Sequence, residues 1–267
     1  MALCSSVESG RYLYCVARSG KEADLGKVGI EDNDVYTVPF DDIGAVVHRC
    51  EAKPYITNDR KKAEEWILSH QYVIDLATEE FGTVIPLTFD TIIRGDDQIV
   101  KQWLLQEYNQ LRDKLEELEG EAEFGVQVFI DKAVIEKLDW ENTDTQRLRK
   151  ELETKSEGAA YLLRKKLEKK LKLEKRTFIE RHAKTFCSKI RELVDDMRLE
   201  SLSKEVPGRW KEKEMILNLA CLAPRDDIQP LGRVLNEINR LEGFAVRFTG
   251  PWPPYSFVGD VEAWKER

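Results

Sequence analysis

The chain has 267 residues, 42% of them hydrophobic and 34% charged, which suits one large domain or two small ones with a densely charged surface. A formal net charge of -8 argues against a general nucleic-acid binder, and no apolar run approaches the roughly 18 residues that a membrane span needs. The opening MALCSSVESGRYLYCVARSG has no basic leader and an apolar stretch broken by Arg11, so a cytoplasmic chain without a signal peptide is expected. Cys4, Cys15, Cys50, Cys187 and Cys221 are odd in number and lack any C-x-x-C spacing. They read as reduced thiols packed as small apolar groups, without a disulfide framework or a metal site.

RYLYCVA (residues 11–17) alternates and is rich in β-formers, so it reads as a strand. A charged, glycine-containing connection follows. VYTVPF and IGAVVHRC then read as two short strands joined by the acidic turn Asp41–Asp42, with Pro39 at an edge or ending its ladder. From Asp59 the period becomes helical, with Trp66, Ile67, Tyr72, Val73, Leu76 and Ala77 as the apolar stripe and Gly82 as the stop. TVIPLTFDTII is extended, with Pro86 at a bulge or edge. A second helix follows, capped by Asp96 or Asp97, striped by Ile99, Trp103, Leu104, Leu111, Leu115 and Leu118, and stopped by Gly120. EFGVQVFID alternates as a strand.

Residues 156–205 keep a helical period without proline, until Pro207–Gly208. An unbroken helix there would be roughly 75 Å long. Its second half is striped by Ile179, Ala183, Phe186, Ile190, Leu193 and Met197; its charged first half is expected to protrude or bend away. EMILNLACLAP reads as a buried strand, DDIQPLGRVLNEINRLEG as a helix capped by Asp226 or Asp227, and FAVRFTG as a last alternating strand. The order β-ββ-α-β-α then β-α-β-α-β favours an α+β protein of two domains with split βαβ, ferredoxin-like character. Residues 1–120 would form an N-terminal α+β domain, and residues 121–267 a second domain with the long helix and a C-terminal clasp. A single doubly wound sheet is the alternative, and the ββ step before the first helix counts against it.

Chemistry is hard to find. His48 and Cys50 share a face of one strand, yet a third and fourth metal ligand are not evident. His70 reads as a core-edge histidine with a local hydrogen bond, and His182 as a solvated helix residue. No phosphate-binding glycine loop or nucleophile elbow is present, so no cofactor or catalytic residue is expected. Residues 164–176 hold eight Lys/Arg against Glu168 and Glu174, without the aromatics that base stacking needs. That run reads as a solvated helix face, or else as a docking site for an acidic partner.

The ending TGPWPPYSFV is the most unusual stretch. Pro251, Pro253 and Pro254 fix φ and remove amide donors, so the tail should not continue a sheet ladder. It is stiff before it docks, and Trp252, Tyr255 and Phe257 each gain roughly 1.5–3 kcal/mol on burial. A preformed clasp is expected, made by Trp252, Pro253, Pro254, Tyr255 and Phe257. Its groove lies either on this chain or partly on a partner.

FTGPWPPYSFV resembles the ending of the gas vesicle protein family F/L, accessory proteins of gas vesicle formation. YLYCV, DDIGAVVHR, ILSHQYVIDLA, TVIPLTFDTII and GEAEFGVQVFID resemble that family in the right order, over nearly the whole chain. TVIPLTFDT departs at Thr88 and Asp90, where the resemblance leads one to expect an arginine-like residue and a glycine. The resemblance implies a non-enzymatic assembly or minor structural protein, a two-domain α+β fold and no catalytic residues. It implies as partners the small apolar shell subunit and other gas vesicle accessory proteins, with the chain located at the gas vesicle. The competing reading is a ferredoxin-like ligand-binding protein or enzyme using the His48/Cys50 strand face.

Overall fold

A computed structural model describes residues 8–137, 143–154, 156–203 and 208–259. Cys4 and Pro207 lie outside them. The described residues pack as two compact units. The first holds those up to Glu123, with Pro224–Asp226 and those from Gly250 on; the second holds Phe124–Ala223 and Asp227–Thr249.

The first unit is built of β1 (Ser9–Ala17), β2 (Asp24–Gly26), β3 (Val35–Phe40), β4 (Ile43–Glu51), α1 (Arg60–Phe81), β5 (Val84–Pro86), β6 (Ile92–Arg94) and α2 (Asp97–Glu117). The sheet order is β2-β3-β4-β1-β5, and β6 shares the β5 side of β1. β5 pairs with Cys15–Ala17 and β6 with Gly10–Tyr12, both antiparallel. β1 is therefore central, and it is buried from Gly10 to Ala17. Its alternation hides a bulge: the register with β4 shifts between Leu13 and Cys15. A bulge puts two consecutive residues on one face. Tyr12, Tyr14, Cys15 and Ala17 accordingly pack in one cluster with Trp66, Val73, Ile74 and Ala77 of α1. Leu13 and Val16 pack in another with Val100, Leu104, Leu111 and Leu115 of α2.

Local signals hold at several ends. Asp59 accepts from the Lys61 N–H and Asp96 from the Gln98 N–H, and Gly82 closes α1 at φ 79°. Pro39 pairs with Gly44 of β4 beyond the stretch where β2 meets β3, so its missing donor costs no ladder bond on the β2 side. Asp90 stands at φ 69°, the region that glycine favours, and its Oδ1 accepts the Tyr55 N–H at 2.9 Å. That bond, to a residue 35 positions away, holds a side chain at a position where a glycine was expected.

Which helix faces are buried differs from the expectation. α1 turns Trp66, His70, Val73, Ile74 and Ala77 inward, whereas Ile67 and Tyr72 are 54% and 55% exposed. In α2, Val100 is buried and Ile99 is 40% exposed. The rest of both stripes holds, with Trp66, Val73 and Ala77 of α1 and Leu104, Leu111, Leu115 and Leu118 buried; the misses lie at the rim of each stripe, where the sheet and not the helix decides which arc faces inward.

The second unit comprises most of β7 (Glu121–Asp131), then α3 (Lys132–Lys137), α4 (Thr143–Glu153), α5 (Glu157–Arg191), β8 (Asp196–Leu199), β9 (Lys213–Pro224) as far as Ala223, α6 (Gln229–Arg240) and β10 (Phe244–Trp252) as far as Thr249, with sheet order β10-β7-β9-β8. β2, α3 and α4 are elements that periodicity did not reveal. The long helix stops at Arg191, so Met197 belongs to β8, which pairs antiparallel with β9. Strand pairing there overrides helical propensity. Neither Asp226 nor Asp227 caps α6, whose N-cap is Ile228 with Pro230 in the first turn. β10 runs on through Pro251 to Trp252, against the expectation that proline ends the ladder. It is an outer strand, where one side of the backbone needs no donors. At Gly125 of β7 a Cβ would come within 2.5 Å of Thr249 Oγ1, so only glycine lets β10 approach there.

Leu104 is fully buried between α2 and the sheet. Leu104→Ala should lower the unfolding free energy by about 2–5 kcal/mol, while Ile67→Ala on the outer face of α1 should change it by less than about 0.5 kcal/mol. Urea melts of both variants check this assignment of faces; equal losses would contradict it.

Candidate functional site

The tail leaves β10 at Trp252 and turns through a short 3-10 helix, Tyr255–Phe257. The Tyr255 N–H donates to the Pro253 carbonyl (2.8 Å) and the Phe257 N–H to the Pro254 carbonyl (3.0 Å). Pro253, Pro254 and Phe257 are buried and Tyr255 is half-buried. Trp252 is 44% exposed. Tyr255 packs against the α1-side core and Val258 against the α2-side core of the first unit.

Three polar anchors hold the turn. Tyr255 Oη donates to Gln71 Oε1 at 2.9 Å. The Ser256 N–H and hydroxyl donate to the two oxygens of Glu123, at 2.7 and 2.8 Å. Bonds to a carboxylate are the stronger kind. Tyr255 and Phe257 thus point into their own chain, while Trp252 stands at the end of an outer strand with much of its indole in solvent.

The second candidate is the strand face of His48 and Cys50. His48 is fully buried and His70 is 4% exposed, and three tyrosines enclose them. The Leu87 carbonyl only accepts, so His70 Nε2 carries the proton and donates to it (3.1 Å). His70 Nδ1 then accepts from Tyr12 Oη (2.9 Å), which itself accepts the Asp90 N–H (3.0 Å). The Ile30 N–H donates to Tyr14 Oη (3.0 Å), which also hydrogen-bonds His48 Nδ1 (2.7 Å). His48 Nε2 hydrogen-bonds Tyr55 Oη (3.0 Å). Every ring nitrogen is engaged, and both histidines are neutral at neutral pH.

Burial lowers both imidazoles to about 4, against small opposing pulls from Glu31 on His48 and the Leu87 carbonyl on His70. Burial also pushes the Cys50 thiol up to about 11, so it is protonated at neutral pH and a poor nucleophile. Among the described residues no group of three or more His, Cys, Asp or Glu side chains is placed to hold a metal ion. The cluster is a matched polar network inside an aromatic core.

A second polar contact, part-buried, was not legible in the sequence. Arg11 of β1, 7% exposed, donates through Nε to Asp97 Oδ1 (2.6 Å), which also accepts from Tyr36 Oη (2.7 Å). Burial raises the Asp97 carboxyl, but hydrogen bonds from Tyr36 and Arg11 outweigh it and hold the group below its ordinary value. Of the two cap candidates Asp96 caps α2, and Asp97 ties the helix to the sheet. His182 also departs from a solvated reading: its ring lies 4.2 Å from Phe178 and 5.3 Å from Phe244, and its Nδ1 approaches the Phe178 carbonyl at 2.9 Å.

The neutral histidines set a pH dependence. Their ordinary value is 6.5, so between pH 6.5 and 4 the unfolded chain binds more protons than the folded one. Stability is complete above pH 6.5 and falls as pH drops toward 4, by about 3 kcal/mol per histidine. Denaturant melts at pH 7 and 4.5 should show this slope, and His70→Gln should flatten it. A parent and variant with the same slope would contradict the assignment.

Comparison with known proteins gives the fold a family. The model of the family described as gas vesicle synthesis protein GvpL/GvpF matches residues 10–259. Gas vesicle protein L1 of Halobacterium salinarum is 36% identical over 261 residues, covering 96% of this chain and 92% of that protein. Gas vesicle protein L of Haloferax mediterranei is 30% identical, covering 96% and 89%. The crystal structure of the gas vesicle protein GvpF from Anabaena sp. PCC7120 superimposes with a TM-score of 0.70 at 23% identity, over 94% of this chain and 98% of that one. GvpF from Microcystis aeruginosa gives 0.65 at 18%, over 93% and 98%. The structural matches show a shared mixed helix-and-sheet fold, and the sequence matches go further: the chain belongs to the GvpL/GvpF family of gas vesicle accessory proteins.

Proposed function

We propose that this protein is a non-enzymatic assembly or minor structural protein of the gas vesicle, which binds the apolar shell subunit, limits its aggregation and aids nucleation. A subunit that must face gas is prone to aggregate in water before assembly. A helper with a charged body would meet it through a restricted apolar contact, because uncompensated charge needs hydration. The location that follows is the cytoplasm, at the growing vesicle, among other accessory proteins. No helix among the described residues is long and apolar enough to cross a membrane.

The observation that carries this reading is Trp252. It is 44% exposed, on a backbone held by the buried Pro253, Pro254 and Phe257. An indole on a rigid, preorganised segment is the kind of anchor that dominates protein interfaces. Tyr255 and Phe257 serve this reading as the inward half of the clasp. The paired ring nitrogens of His48 and the protonated Cys50 weigh against the enzymatic alternative.

Two finer points of architecture belong to the same proposal. The second unit runs β7, helices, β8, β9, α6, β10 with sheet order β10-β7-β9-β8, which supports a ferredoxin-like β-α-β-β-α-β arrangement. A boundary near Gly120 is supported by packing that divides after Glu123, with the tail from Gly250 grouping with the first unit.

Light scattering of the purified shell subunit with and without this protein tests the function. The parent should slow or redirect aggregation. Trp252→Ala should lose most of that effect at a smaller cost in stability than the loss of a fully buried ring. Phe257→Ala should instead lower stability by about 3–5 kcal/mol. A parent without effect on the subunit would overturn the reading.

A further inference from the structure

Two helices turn outward faces to solvent that complement each other in charge and in apolar content. On α5 the exposed arc carries Leu162 and Leu173, 68% and 62% exposed, with Lys165, Lys166, Lys169 and Lys172 between them. Leu162 and Leu173 are eleven residues apart, three helical turns, so they share one side about 16 Å apart. On α1 the exposed arc carries Leu68 and Tyr72, 67% and 55% exposed and one turn apart. Glu64, Glu65, Asp75 and Glu79 surround that pair.

Residues 164–176, with eight Lys/Arg and two Glu, carry +6 in a chain of net charge -8, which leaves -14 on the rest. So strong a reversal confined to one helix gives this chain a basic apolar face and an acidic apolar face of its own. Ion pairs on these two helices are exposed: Arg60 with Glu64 and Arg176 with Glu180 within one turn, and Lys62 with Glu31 and Lys175 with Glu214 across the chain. Such pairs contribute little and exchange easily.

We propose that copies of this chain associate head to tail, the outer face of α5 on one copy seating on the outer face of α1 on the next. The two faces differ, so the contact is heterologous and each copy keeps one face open for a further neighbour. Apolar residues at the centre with charges at the rim are the usual anatomy of a specific contact. A single helix-on-helix contact lies at the small end of interface sizes, so association is weak, concentration-dependent and salt-sensitive. This inference does not depend on Trp252 or on the shell subunit.

Sedimentation velocity of the full chain tests it, at about 0.05 M and about 1 M salt, where screening shortens to roughly 3 Å. The weight-average mass should rise with protein concentration at low salt and fall back toward the monomer at high salt. Lys166→Gln/Lys169→Gln/Lys172→Gln and Glu65→Gln/Glu79→Gln should each weaken association at least tenfold. Mixed together, the two variants should restore a single contact and stop at a pair. A parent that stays monomeric at low salt would overturn the proposal. So would a loss confined to the lysine variant, which places the basic face against a different surface of the neighbouring copy, or a mixture that does not pair. The salt arm reads the same contact without any substitution, so a poorly folded variant leaves the test intact.

Discussion

Burial of β1 on both faces is the constraint from which the first unit is built. Tyr12, Tyr14, Cys15 and Ala17 pack on the α1 side, and Leu13 and Val16 on the α2 side. A strand in that position has no access to water, so each polar atom on it must find a partner within the protein. Tyr12 reaches His70 and the Asp90 amide, Tyr14 reaches His48 and the Ile30 amide, and Arg11 reaches Asp97. The two histidines are thus accounted for by the strand they serve. Groups that look like chemistry in a list of residues are fasteners between sheet, helix and loop.

The tail completes the same layers. Tyr255 joins the α1-side core, Val258 the α2-side core, and Ser256 is held by the Glu123 carboxylate at the start of β7. The last described turn is therefore tied to the core by packing and by three hydrogen bonds, and Trp252 stands just before it. A stiff support lowers the entropy lost when an exposed indole is covered. Fold and proposed function meet at that residue, since the prolines that fix the backbone also fix where the ring stands.

Much of the fold was legible because local signals agreed with the final packing. Asp59, Gly82 and Asp96 mark helix ends by capping chemistry that needs no tertiary partner. The Asp41–Asp42 turn follows from two short alternating runs, and Asp41 takes φ 53° there. What stayed hidden depends on partners far away in sequence. The bulge between Leu13 and Cys15 exists only relative to β4, and the end of α5 at Arg191 only because residues 196–199 join β9. Of the candidate site, the proline-aromatic composition was visible. Which ring stays outside was not, because that depends on β10 continuing two residues beyond Gly250 as an outer strand. Arg11 with Asp97 was invisible for the same reason, being 86 positions apart.

A chain with 34% charged residues has few places to meet an apolar partner without stranding charge. In the proposed function, contact with the shell subunit is confined to such a place, at the tail around Trp252, and leaves the buried histidine network untouched. Hydrogen exchange of the full chain, alone and with the shell subunit, reads out where that contact falls. Slowed exchange should appear in peptides spanning residues 246–257 and not in those around His48 and His70. Protection centred on the histidine network, or no protection at all, would contradict it.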